Sequence, residues 1–158
     1  MKIFISHQSA DSTLAGDIAH RLRITHQIDC YLDLIDPEAS KTGDKLGEHL
    51  REQLGLCTQL LAVVSQNTKS SWWVPWEIGI STEKDQPIAT YAGDNTTLPE
   101  YLRKWPYLRS MVELDGYAQV SKAADRTFTR ERPFKVEARA RQTATQQFYR
   151  DLRARLGQ

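Results

Sequence analysis

The chemically densest stretch of the sequence is Trp72-Trp73-Val74-Pro75-Trp76-Glu77. Proline has no N–H and its ring clashes with a preceding helical turn, so Pro75 belongs in the first turn of a helix. Glu77 then lies about two residues further in, still in that first turn, where the helix dipole favours a carboxylate. Trp73 precedes Glu77 by one helical repeat and approaches the same side if helical geometry extends that far. Trp72 and Trp76 add more flat aromatic surface. An ionised carboxylate beside aromatic faces suits a substrate carrying a cationic planar ring and a ribose. A first-turn Glu also serves as a simple dipole partner, and tryptophans commonly fill cores, so these residues alone leave both readings open.

The elements that must position this stretch alternate between short apolar runs and longer amphipathic ones, the pattern of an α/β domain. Lys2 to Ser6 reads as a first strand, Ile28 to Leu32 as a second, and Gln59 to Ser65 as an almost wholly apolar third. Pro87 to Tyr91 is a fourth strand and Leu108 to Leu114 a fifth. Between them, Asp11 to Arg23 carries a helical stripe of Leu14, Ala15, Ile18, Ala19 and Leu22, with Asp11 or Ser12 as its N-cap. Asp44 to Leu56 and a segment ending near Lys84 are further helices, and Leu98 to Trp105 a short one. Lys122 to Arg132 is polar and carries no assignable pattern. Val136, Ala140, Ala144, Phe148, Leu152 and Leu156 recur every fourth residue, which predicts a long C-terminal helix over about 136–156, its stripe packed on the sheet. Right-handed crossovers then give a parallel sheet with helices on both faces. The expected architecture is flavodoxin-like, a five-stranded parallel sheet in the order 2-1-3-4-5 within a single domain spanning 1–158. Ligands of such sheets bind beyond the carboxyl ends of strands one and three. Three segments reach that place: Ser6 to Asp11, the polar loop from Asp33 to Gly43, and Ser65 to Glu77.

Composition narrows the classes. The 158 residues carry a net charge of +1, which points to no nucleic-acid partner. The N-terminus runs directly into a strand without a signal-peptide pattern, and no apolar run approaches about 18 residues, so a cytoplasmic protein that spans no membrane is expected. Cys30 and Cys57, each inside an apolar segment, read as two buried thiols. No G-x-G-x-x-G follows the first strand, and there is no P-loop, metal-ligand spacing or G-x-S-x-G. Val63-Val64-Ser65 stands where a phosphoacceptor receiver needs an aspartate.

Three motifs in order carry a family resemblance. Phe4-Ile5-Ser6-His7-Gln8-Ser9-Ala10-Asp11 resembles the first-strand motif of bacterial TIR domains. Cys30-Tyr31-Leu32-Asp33 with the loop to Gly43 resembles their second strand and BB loop. Leu60 to Ser65, followed by Ser70-Ser71-Trp72-Trp73-Val74-Pro75-Trp76-Glu77-Ile78-Gly79, resembles their third strand and W-x-x-x-E motif. Together they cover roughly residues 2–91; the arginine-rich last helix matches no motif. The resemblance implies that Glu77 is the catalytic glutamate of an enzyme cleaving the nicotinamide–ribose bond of NAD. It places Phe4, Ser6 and His7 along the cleft, with Trp73 and Trp76 beside the nucleotide, and it leaves Asp33 as a ribose-binding candidate. NAD is then a substrate, with no separate cofactor and no metal. The resemblance also implies homo-oligomeric assembly through TIR–TIR contacts that include the 33–43 loop. A short stand-alone domain of this kind resembles the signalling subunit of bacterial anti-phage systems such as Thoeris, with ADP-ribose or a cyclic isomer as product. Two alternatives stand beside this reading: a non-catalytic TIR–TIR interaction module, and a nucleoside deoxyribosyltransferase-like enzyme, which shares the layout and a cleft glutamate.

Overall fold

The computed structural model describes residues 1–32, 43–66, 68, 71–93 and 96–158. Five parallel strands, β1 (Lys2–Ser6), β2 (Asp29–Leu32), β3 (Gln59–Val64), β4 (Ile88–Ala92) and β5 (Tyr107–Leu108), form one sheet in the order β2-β1-β3-β4-β5. The helices are α1 (Ser12–His26), α2 (Gly43–Leu56), α3 (Trp73–Glu83), α4 (Met111–Glu131) and α5 (Glu137–Leu156). The architecture expected from the alternating pattern is the one observed.

Side-chain alternation along each strand divides the interior into two cores. Ile3 and Ile5 of β1, Leu61 and Val63 of β3, and Ala89 and Tyr91 of β4 pack under α1, α4 and α5. Phe4, Leu60, Ala62, Val64 and Ile88 pack under α2 and α3 on the other face. All six residues of β3 are buried, which explains why its sequence shows a continuous apolar run rather than alternation.

The carboxyl-terminal third corrects the sequence reading. The strand expected over Leu108 to Leu114 is only the two residues Tyr107–Leu108, and the chain then enters α4, which absorbs the unassigned stretch from Lys122. Ser110 caps α4 by accepting the Glu113 N–H at 3.2 Å, and Glu113 accepts in return from the Arg109 N–H, a close variant of the capping box. The buried face of α4 mixes Leu114, Tyr117 and Val120 with small and polar residues, Gly116, Ala118, Ser121, Ala124 and Thr127. The helix expected over Leu98 to Trp105 is a single 3-10 turn, Glu100–Leu102. The last helix is as expected: Phe148 and Leu152 of α5 lie in the first core. Tyr149 accepts the Ile88 N–H at 3.1 Å, tying α5 to the start of β4. The side chain of Gln158 pairs with both backbone groups of Tyr107 and so satisfies the outer edge of β5.

One polar cluster locks α1 to α4. Arg21 holds Asp115 with two hydrogen bonds of 2.8 and 2.7 Å, and His26 Nε2 lies 2.8 Å from the same carboxylate. The Arg21 hydrogen bonds, more than any other cause, hold the Asp115 carboxyl well below the usual carboxylate range. A depressed carboxyl pKa stabilises the fold above the unfolded value of about 3.9 and loses that contribution as pH falls through the folded one. Asp115→Ala should therefore lower stability by about 1 kcal/mol at neutral pH, a value discounted for partial exposure. In urea titrations the gap between variant and wild type should close as pH drops below about 4.

Cys30 and Cys57 belong to opposite cores and are free thiols. Burial pushes Cys30 up to about 12 and Cys57 up to about 11. Neither should react with an aromatic disulfide reagent at about pH 8 until the chain is unfolded.

Candidate active site

Because every strand is parallel, β1 and β3 present their carboxyl ends at one edge of the sheet, on either side of the point where the chain reverses its order. Three segments carry candidate side chains there: the turn after β1, the segment after β3, and the first turns of α3.

Ser6 ends β1 and has no exposed surface; its Oγ meets no hydrogen-bond partner among the described residues. His7 follows, 3% exposed. Its Nδ1 lies 3.3 Å from the Ile5 carbonyl and its Nε2 lies 3.4 Å from Ser12 Oγ, while Ser12 donates to the Ser9 carbonyl at 2.7 Å. The ring is thereby held from both sides, with the hydroxyl committed elsewhere. No carboxylate stands among these partners to make it a general base.

Asp11 corrects a prediction. It occupies the N-cap position of α1, yet its side chain makes no capping bond. Its Oδ2 instead accepts from Ser65 Oγ at 2.8 Å, across a sequence gap of 54 residues. This bond ties the turn after β1 to the end of β3. Thr68 Oγ1 accepts the Ser65 N–H at 3.0 Å and fixes the same corner from the other side. The family motif points to Asp11, but only the fold shows what it holds.

The helix bearing Glu77 begins at Trp73, with Pro75 as its third residue, as the missing proline N–H requires. Ser71 Oγ accepts the Val74 N–H at 3.3 Å. Glu77 is the fifth residue of α3, one place beyond the first turn in which it was expected, so the dipole acts on it more weakly. It has no exposed surface, and Val74, Ile78 and Ser81 share its buried face. Ser81, one turn further on, was not singled out by the sequence; its spacing of four from Glu77 is the signal that finds it. Trp73 and Trp76 meet edge to face with ring centroids 5.6 Å apart. Trp73 is half-buried, Trp76 is 37% exposed and Trp72 is 89% exposed. The tryptophans thus form a graded wall from core to solvent around the helix start.

Phe4 is placed differently from a cleft-lining residue. It is wholly buried in the second core and stacks on Tyr31, with ring centroids 5.1 Å apart. What it lends the site is support beneath β2 and β1. Tyr31 in turn hydrogen-bonds His49 of α2 at 3.1 Å. Asp33 and the rest of the polar loop to residue 42 lie outside the described residues. A separate cavity of about 610 Å³, lined by Cys57, Gln86 and Phe128 among others, opens at the amino end of the strands. It is therefore at the opposite end of the sheet from this cluster.

The Asp11–Ser65 bond is testable by itself. Asp11→Ala and Ser65→Ala should each lower stability by about 1 kcal/mol in denaturant melts. The double variant should cost clearly less than the sum of the two, the sign of a direct contact.

Comparison with known proteins identifies the family. The TIR domain family model matches residues 3–128. A protein of Bacillus cereus (strain MSX-D12), described as a probable 3′ cyclic ADP-D-ribose synthase ThsB′, is 27% identical over 116 residues. The match covers 67% of this chain and 59% of that relative, so the chain spans about three fifths of its length. Among solved structures, the TIR domains of the activated Roq1 resistosome that recognises the pathogen effector XopQ align over 99% of this chain and 97% of that one, at 17% identity and a TM-score of 0.47. A diflavin flavoprotein A3 from Nostoc sp. aligns over 99% and 97% of the two chains, at 14% identity and a TM-score of 0.45. With the family model matching residues 3–128, most of its length, this chain belongs to the TIR domain family.

Proposed function

We propose that this TIR domain cleaves the nicotinamide–ribose bond of NAD, with Glu77 as the catalytic residue. The observation that carries the reading is Glu77 itself: a carboxylate placed in a tryptophan-walled helix start beside the carboxyl ends of β1 and β3. The relative described as a cyclic ADP-D-ribose synthase supports the same class of chemistry.

The bond dictates the mechanism. Nicotinamide leaves a cationic N-glycoside as a neutral molecule, so its departure needs no general acid. The charge left behind is spread over C1′ and the ring oxygen of the ribose. The Glu77 carboxylate stabilises that charge electrostatically and accepts hydrogen bonds from the ribose hydroxyls, as carboxylates do in glycoside cleavage. In this reading Ser6 and His7 line the cleft, and Asp33 is a ribose-binding candidate. Capture of the cation by water gives ADP-ribose. Capture by a nucleophile of the same molecule gives a cyclic isomer, and an aromatic wall that keeps water out favours that route. Trp73 and Trp76 provide such a wall. Trp72 and Trp76 also offer exposed apolar surface at the site's margin, which a second copy of the chain would cover in a TIR–TIR assembly together with the 33–43 loop. The reading carries with it a signalling role in anti-phage defence.

One observation favours the alternative of an interaction module: Glu77 has no exposed surface, so substrate reaches it only after the cleft opens. The two readings separate in one experiment, mass spectrometry of the products formed from NAD by concentrated protein. Wild type should release nicotinamide, together with ADP-ribose or a cyclic isomer. Glu77→Gln, which keeps the side chain's shape, should lose on the order of a hundredfold or more in rate while its melting curve stays cooperative. Equal rates for the two proteins, or an inert wild type under assembling conditions, would falsify the assignment.

A further inference from the structure

The same edge of the sheet carries a second feature, away from Glu77. β4 and β5 end at Ala92 and Leu108, with their carboxyl ends on the side where β3 ends. Two strand spacings, about 10 Å, separate the end of β3 from that of β5. Beyond β4 and β5 lies a cavity of about 630 Å³, lined by Gly93, Thr96, Thr97, Arg103, Tyr107 and Arg109 among others. Among the described residues that line it, none is acidic.

Some of the described surface cations are paired and others are not. Arg21, Arg130, Arg132, Lys135, Arg141 and Arg150 each sit within reach of a carboxylate. Among the described residues, Arg103 and Arg109 form no such pair. Arg109 lies instead over the Tyr107 ring, 5.0 Å from its centroid, and donates to the Tyr107 hydroxyl at 3.3 Å. Glu113, the nearest acidic side chain in sequence, is engaged by the backbone N–H of Arg109 at the start of α4. Stacking on a ring fixes the plane of a guanidinium and leaves N–H groups at its edge for a ligand.

Two like charges facing one cavity repel each other. An apolar occupant leaves that repulsion in place, whereas an anion converts it into attraction. Paired guanidiniums flanked by threonine hydroxyls are a donor set for the oxygens of a phosphoryl group, which guanidinium meets through two parallel N–H bonds. We propose that the cavity at the carboxyl ends of β4 and β5 is a phosphoryl-anion site, in which Arg103 and Arg109 hold the phosphate or diphosphate of a ligand. That group has two sources. It is either the diphosphate of the dinucleotide whose ribose lies at Glu77, which rests on the proposed function, or a separate phosphorylated effector.

Calorimetric titration with inorganic pyrophosphate at low salt tests the site without any appeal to catalysis. Wild type should bind saturably, and the affinity should fall as salt is added. Arg103→Gln/Arg109→Gln should bind roughly tenfold more weakly or worse, while Arg126→Gln, at an exposed arginine that does not line the cavity, should match wild type. Arg103→Lys/Arg109→Lys, which keeps the charge but not the fork, should fall between, and it replaces the Gln pair if that variant does not fold. Absence of saturable binding by wild type, or full affinity in the charge-removed variant, sinks the proposal. The source follows from kinetics on the same proteins. A KM for NAD raised several-fold at unchanged kcat assigns the site to the substrate's diphosphate, and an unchanged KM alongside lost pyrophosphate binding assigns it to an effector. Inactivity of wild type toward NAD would count against Glu77 alone and leave the pyrophosphate result intact.

Discussion

Water is excluded from both faces of β3, and most of the molecule follows from that one constraint. A strand buried on both sides satisfies its backbone only through neighbouring strands, and β1 and β4 supply them in parallel register. Parallel neighbours demand crossovers, and the crossovers put α1, α4 and α5 on one face and α2 and α3 on the other. With Leu60, Leu61, Val63 and Val64 each removed from water, every side chain contributes about 1.5–3 kcal/mol relative to exposure. Once both faces are covered, only the two ends of the sheet remain open to ligands. The carboxyl end receives Ser6, His7 and Glu77 near its middle and Arg103 and Arg109 near its β5 edge. The end that begins the strands receives the 610 Å³ cavity instead.

How legible each part was in the sequence depended on where its partners lie. β1, β3, α1 and α5 were readable because their apolar periodicity is a local record of burial. The start of α3 was readable because Pro75 has few places to go. The β5–α4 junction was misread because the apolar residues Leu108, Met111, Val112 and Leu114 read as one strand, whereas β5 ends at Leu108 and the helix starts at Met111. The Ser110-x-x-Glu113 pattern at its start was the available local signal. Asp11 shows the opposite case. Its type and position favour a helix cap, but the Ser65 hydroxyl of a distant segment competes for the same oxygen and wins. No local rule contains that outcome. Phe4 likewise carries the family motif while standing in the core, where its ring supports Tyr31 rather than facing open space.

The tryptophans connect the two levels of description. Trp73 is half in the core and touches Trp76, whose ring lies beside Gly47 of α2, within 3.9 Å of where a β-carbon on that residue would stand. The wall at the helix start is thus braced by a second helix rather than hanging from its own. Bracing matters for chemistry at a ribose cation, because a dipole or ring that must reorganise during the reaction gives back part of the stabilisation it offers.

The position of Glu77 argues hardest for function. Taking a carboxylate fully out of water costs several kcal/mol before its interactions offset the loss. The fifth residue of a helix lies past the turn where the dipole helps most. Glu77 shares its buried face with Val74, Ile78 and Ser81. Under the proposed function a ribose-centred cation gives the carboxylate a target, since a charge held away from water acts with little screening. The burial that made Glu77 look structural is the same property that makes a carboxylate effective against an oxocarbenium ion, provided the substrate rather than solvent fills the space when the cleft opens.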